Sequence, residues 1–162
     1  MIKTSIIFIA CCLFNLVAIG QNKITGKWKP VFFSMDRIMT GDVKADSIYL
    51  SDTLDIVFKD DKDPAASKDL MKLMAKIMLE KMRSNQEEFL PGGAYIQTDT
   101  KQNSTKKGSY TFEASSNLLT TVVGNKTTKY IVSFKDGHLI LTWGLESRSS
   151  QKGSMIVEFE KL

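Results

Sequence analysis

The chain has 162 residues, with 22 Lys and Arg against 18 Asp and Glu, and no basic run is interleaved with aromatics, so the mild charge of +4 makes no case for nucleic-acid binding. Hydrophobic residues form 43% of it, enough for one domain with a core. Both cysteines, Cys11 and Cys12, fall in an N-terminal apolar run, so a chain processed behind that run has no thiol chemistry, disulfide or cysteine metal site.

That run, Ile6 to Ile19, follows Lys3 and ends at Gly20. At about fourteen residues it is short for a membrane span and is flanked like a signal peptide. Ala18 and Gly20 supply small residues at the −3 and −1 positions, which places cleavage before Gln21 and the signal at residues 1–20. The rival is a lipoprotein signal anchored at Cys11 or Cys12; Phe8-Ile9-Ala10-Cys11 resembles a lipobox, but the apolar run continues well past it. The expectation is an exported chain, periplasmic or secreted and not membrane-spanning, with residues 21–162 as a single domain. Losing Lys3 lowers its charge from +4 to +3.

In chain order, Lys27 to Met35 reads as a strand with Val31, Phe33 and Met35 on one face and Phe32 and Ser34 on the other. Asp36 to Asp46 reads as loop or short helix. Ser47–Leu50 and Leu54–Lys59 read as short strands around Ser51-Asp52. Then comes the one long helix, about residues 64–85. Asp63 is a natural N-cap and Pro64 stands at the first helical position, where its missing N–H is harmless. Lys81 and Arg83 lie near the negative end of the helix dipole. Asp60-Asp61-Lys62-Asp63 lacks the glycine and distal glutamate of a calcium loop and reads as capping and solvation. Around the helix, Leu70, Leu73 and Ile77 form one sector and Met71, Met74, Met78 and Met82 the next, an apolar arc wider than a surface helix needs. Plain packing of the methionines against the barrel is the expectation; the competing idea is that Leu70, Leu73 and Ile77 anchor the helix while the Met sector faces a cavity or a partner.

From Glu87 the apolar period becomes two. Phe89–Asp99 reads as a strand interrupted at Pro91-Gly92-Gly93, its first half open to a loop reading, followed by strands at Lys107–Ala114, Asn117–Val123 and Thr127–Phe134. Asp136-Gly137 is a tight-turn signal into His138–Leu145, and Ser154–Glu160 is the last strand. About eight strands in a meander close most economically into a barrel, which removes exposed edges.

Gly26-Lys27-Trp28 near the mature N-terminus, Gly93-Ala94-Tyr95 and Gly108-Ser109-Tyr110, Tyr130-Ile131-Val132 with His138-Leu139-Ile140-Leu141, and the terminal Met155–Leu162 occur in an order that resembles bacterial exported lipocalin-like domains, calycin-type β-barrels. The resemblance covers nearly the whole mature chain, although each motif is short. It implies a mainly β, lipocalin-like, antiparallel up-and-down barrel with the long Met-rich helix inserted mid-chain. It also implies that Trp28 packs structurally across the closed end. The chain departs from standard lipocalins in lacking their disulfide and in carrying its helix mid-chain, where it occupies or caps the ligand mouth.

Candidate ligand-binding residues are Met71, Met74, Met78 and Met82, since methionine suits both irregular cores and adaptable binding surfaces. With them stand Tyr95, Tyr110, Phe112, Tyr130 and Trp143, whose rings either line a cavity or fill the barrel. Phe134 aligns with the same set. The Met spacing, without histidine partners, is poor for copper, and no cofactor or metal site is expected. His138, the sole histidine, reads as a turn-flanking residue, and Glu87 and Glu88, being adjacent in a strand, point oppositely and cannot pair as carboxylates. Lys101, Lys106, Lys107, Lys126 and Lys152 keep turns soluble and can steer an anionic amphiphile. Asn103-Ser104-Thr105 and Asn125-Lys126-Thr127 match a glycosylation sequon, and Asp46-Ser47-Ile48 and Asp52-Thr53-Leu54 a bacterial O-glycosylation pattern. The expectation is a non-catalytic protein binding a small hydrophobic or amphipathic ligand. The alternative is a protein-interaction or structural module with a filled barrel, docking a partner or a second copy through the Met-rich helix.

Overall fold

The computed structural model describes residues 23–36, 38–145 and 153–162; the signal segment, its cleavage site, Cys11, Cys12 and Lys152 lie outside these residues. The elements run β1 (Gly26–Met35), β2 (Met39–Asp42), β3 (Ser47–Leu50), α1 (Leu54–Val57), α2 (Pro64–Ser84), β4 (Asn85–Phe89), β5 (Ala94–Asp99), β6 (Ser104–Glu113), β7 (Leu118–Val123), β8 (Lys126–Lys135), β9 (His138–Leu145) and β10 (Gly153–Lys161). Strands β4 to β10 pair in sequence, and β1 joins both ends by pairing with β4 and β10, so eight of the ten strands close an antiparallel barrel. Only Gly26–Trp28 of β1 pairs with β4; its later half, Phe32–Met35, pairs with β2 instead, and β3 completes a hairpin outside the closed ring.

Alternation dictates the interior. Phe89, Tyr95, Tyr110, Phe112, Leu119, Val132, Leu139, Leu141, Val157 and Phe159 are buried, each two residues from the next inward position of its strand. In β1 the register shifts between Pro30 and Phe32, so Trp28 and Pro30 point inward before the shift and Val31 and Phe33 after it. A proline with no N–H to give fits that irregularity. Glycine is equally constrained in β6: a Cβ at Gly108 would lie 2.1 Å from the Val122 carbonyl oxygen. Because the obstacle is backbone, Gly108→Ala is expected to destabilise the barrel by about 1–3 kcal/mol, read as a lower urea midpoint at unchanged slope.

Several elements differ from their sequence reading. Met39–Asp42, inside the segment read as loop or short helix, is a strand. Leu54–Val57 is one helical turn rather than a strand, with only Leu54 buried; so short an apolar run does not distinguish the two. Phe89 ends β4, the residues after it form a turn, and Ala94–Asp99 is the antiparallel β5, because Gly92 and Gly93 adopt φ of 83° and 87° and reverse the chain.

Helix α2 begins as its sequence requires: the Asp63 carboxylate accepts the Ala66 N–H at 3.0 Å and Pro64 opens the first turn. It ends by passing directly into β4, with the Ser84 carbonyl accepting from the Thr100 backbone N–H at 2.9 Å and from the Thr100 hydroxyl at 3.0 Å. Its docking face is the methionine side, which corrects the idea of a Leu/Ile anchor. Ala75 and Leu79 are buried, and Met78 and Met82 pack on the core from the same side. Leu70, Leu73, Met74 and Ile77 are exposed. Thus the Met side, less Met74, faces the barrel and the Leu/Ile side faces out. Lys68 pairs with Asp55 of α1, and Arg83 with Asp46 of the β2–β3 turn, holding the helix at both ends. No helix among the described residues is long and apolar enough to cross a membrane.

Candidate functional site

The two ends of the barrel are built differently. At the end holding the start of β1, the interior is solid. Phe89 packs on Tyr95 and, edge-on at 5.1 Å, on Tyr110, whose hydroxyl donates to the Leu90 carbonyl at 3.0 Å. Trp28 donates its indole N–H to the Ile24 carbonyl at 2.8 Å, with the Lys161 ammonium 5.4 Å from its ring. At the other end, where α2 crosses, inward-facing residues keep accessible surface: Glu87, Gln97, Thr128, Tyr130 and Trp143 are only half-buried.

Beside α2 that open end forms a cleft of about 630 Å³. Its helix wall is Ile77, Glu80, Lys81 and Ser84; its strand wall is Asn85, Gln97, Asp99, Ser104 and Lys106, with Lys101 and Gln102 on the β5–β6 turn. Strand register orders the strand wall. Glu87, Gln97 and Lys106 are successive cross-strand partners on β4, β5 and β6, and Asn85, Asp99 and Ser104 form the next row toward the mouth. Neighbouring strands lie about 4.8 Å apart, so each row presents its polar groups at that spacing. Lys101 bridges to Glu80 at 3.0 Å, linking the turn to the helix. Asp99 is occupied structurally: the Gln102 N–H at 3.0 Å, chiefly, and the Lys101 N–H at 2.9 Å hold its carboxyl below the usual range.

Gln97 also belongs to a second group, deeper in the barrel. Burial pushes the Glu87 carboxyl up to about 7, and hydrogen bonds from the Tyr95 and Gln97 side chains only partly oppose this. The Tyr95 and Tyr130 hydroxyls are both raised, first by burial and then by the charge of Glu87. Thr121 and Thr128 hydrogen-bond to Tyr130, which stands edge-on to Trp143 at 5.3 Å. These side chains, from β4, β5, β7, β8 and β9, converge on one inner region.

None of the nine candidate binding residues lines the cleft. Tyr95, Tyr130 and Trp143 belong to the deeper group, whereas Tyr110 and Phe112 are buried toward the filled end. Met71 is half-buried, Met78 and Met82 pack on the core, and Met74 is exposed on the outer side of α2. Phe134 is exposed near the tip of β8. His138 points outward and pairs with Glu158 of β10. Among the described residues no three His, Cys, Asp or Glu side chains gather as metal ligands.

The sequence reading missed Glu87 and Gln97. The signal was present: adjacent Glu87 and Glu88 in a strand must send one carboxylate inward, and Phe89, two residues on, marks which. Gln97 stands two residues after the inward Tyr95.

No family model matches this sequence, and no curated protein matches it. Among solved structures, the chain is similar to the crystal structure of a DUF4847 family protein from Bacteroides vulgatus ATCC 8482, with a TM-score of 0.47 and 10% sequence identity over 88% of this chain and 96% of that one.

Proposed function

We propose that this is an exported, non-catalytic, lipocalin-like barrel that binds a small amphipathic molecule through its helix-side end. One observation carries the reading: the interior is solidly packed at the Trp28 end and keeps accessible inward-facing surface at the α2 end. Sites for small molecules are concave, with a few placed polar groups among apolar walls. Here Met35, Val123, Tyr130 and Trp143, all half-buried against the core, offer the apolar part, and the cleft offers the polar part. The signal-like residues 1–20 support the exported part of this reading.

The test is binding of a neutral solvatochromic dye, with native mass spectrometry of the protein as purified. The unmodified protein is expected to bind at micromolar concentration, and Gln97→Trp, which places a ring in the open end, to bind at least about tenfold more weakly at an unchanged melting temperature. No uptake of the dye and no co-purified molecule would remove this reading.

A second reading, docking through α2, is favoured by the exposed stripe of Leu70, Leu73, Met74 and Ile77. It uses the Leu/Ile side in place of the Met side. A protein that sediments as a monomer at high concentration would rule out its self-association form.

A further inference from the structure

Resting on that binding reading, we propose that the ligand enters head first and that its head is an ammonium group, held by the Glu87 carboxylate beside the rings of Tyr130 and Trp143. The argument begins with what faces Glu87. From β5 come the Tyr95 hydroxyl and the Gln97 amide, and from β8 the Tyr130 hydroxyl. Trp28 of β1 is the direct cross-strand partner of Glu87, and among the described residues the inward positions of β7, β9 and β10 add apolar groups, the Thr121 hydroxyl and the Trp143 ring. Among the described residues, Lys106 stands in the row of Glu87 one strand beyond Gln97, where it is exposed, and the other charged groups lie toward the mouth: Asp99 on β5, Glu80 and Lys81 on α2, and Lys101 on the turn. Among the described residues no lysine or arginine forms an ion pair with Glu87.

A carboxylate offers about four acceptor positions, of which Tyr95 and Gln97 take two. Glu87 itself is only half-buried, and its cross-strand partner Gln97 lines the cleft. A donor arriving there gains most if it is cationic, because charge-assisted hydrogen bonds are the stronger ones and the interior screens charge less than water does. Aromatic walls add to this, since ring faces attract ammonium groups; Tyr130 and Trp143 stand at 82° to one another and present two differently oriented rings. An anionic head meets repulsion from Glu87 at the same place. The mouth lysines can meet an anion only outside, where solvent screens them and where Lys101 is already paired with Glu80.

Calorimetric titration with octylammonium, octanol and octanoate tests this, since the three share one apolar tail. At pH 8, with Glu87 ionised, octylammonium is expected to bind about tenfold tighter than octanol and octanoate weakest of the three. The preference is expected to shrink as the pH falls through about 7 toward 5.5 in the unmodified protein. Glu87→Gln should level octylammonium with octanol at pH 8, read as the ratio of their two affinities. Octanol binding with no preference for the ammonium, or a preference that survives both low pH and Glu87→Gln, overturns the ammonium head and leaves the binding reading standing. Failure of all three to bind ends both. If Glu87→Gln does not fold, the pH series on the unmodified protein decides alone.

Discussion

Replacing Glu87 by Gln is expected to stabilise the protein by on the order of 3 kcal/mol at pH 8 and by nothing measurable at pH 4. The carboxyl of Glu87 ordinarily titrates near 4.5 and in the fold is raised to about 7, chiefly by burial. The folded state therefore holds a proton that the unfolded state releases between those values. The contribution of this group to stability is complete below about 4.5 and is lost as the pH rises through about 7; each pH unit between the two titrations corresponds to about 1.4 kcal/mol. Gln keeps the shape and the hydrogen-bonding capacity of the neutral acid toward Tyr95 and Gln97 but never ionises, so it escapes the loss. Urea unfolding of both proteins at several pH values measures the difference directly. A gain below about 1 kcal/mol at pH 8 would mean that water entering the open end solvates the carboxylate well. A gain that persists at pH 4 would place its origin in packing and not in charge.

Leu79→Ala is expected to cost about 2–4 kcal/mol, and Leu73→Ala to change stability by less than about 0.5 kcal/mol. The two residues are six apart on the same helix, yet Leu79 is 5% exposed and Leu73 is 54% exposed. The first truncation leaves a cavity between α2 and the barrel beside Ala75, Met78 and Met82. The second removes a side chain already in water and introduces a better helix former. Equal losses would contradict the orientation of α2, and a larger loss at Leu73 would restore the Leu/Ile anchor. Because stability is measured on the isolated chain, the neutral outcome at Leu73 also leaves that residue free to be tested for a role in self-association.

The orientation of α2 shows where sequence reasoning ran out. The helix itself was legible, since Asp63, Pro64, Lys81 and Arg83 are local signals and a helix end is satisfied by its own neighbours. Its docking face was not, because the apolar arc extends round both sides and nothing local ranks leucine above methionine. The barrel supplied the ranking through shape: the small Ala75 allows the helix to approach closely, and the flexible Met78 and Met82 fill the uneven surface around it. The strands β6 to β10 were legible within a few residues for the same local reason as the helix, an apolar period of two broken by turns. Strand β2 was not, because Met39–Asp42 is a strand only through its pairing with β1 and β3. The rings divided likewise: Tyr110 and Phe112 went to the filled end, and Tyr130 and Trp143 to the open one.

By itself, then, the sequence determined a mainly β chain with one capped helix and the inward parity of its strands, since alternation and capping are set by residues within a few positions of one another. Tertiary structure alone decided the rest: closure of β1 on both β4 and β10, the side α2 presents, and the meeting of Glu87, Tyr95, Gln97 and Tyr130 inside one end of the barrel. Those outcomes depend on contacts between residues tens of positions apart. A carboxylate on a strand carries no local mark of whether the space it points into is filled.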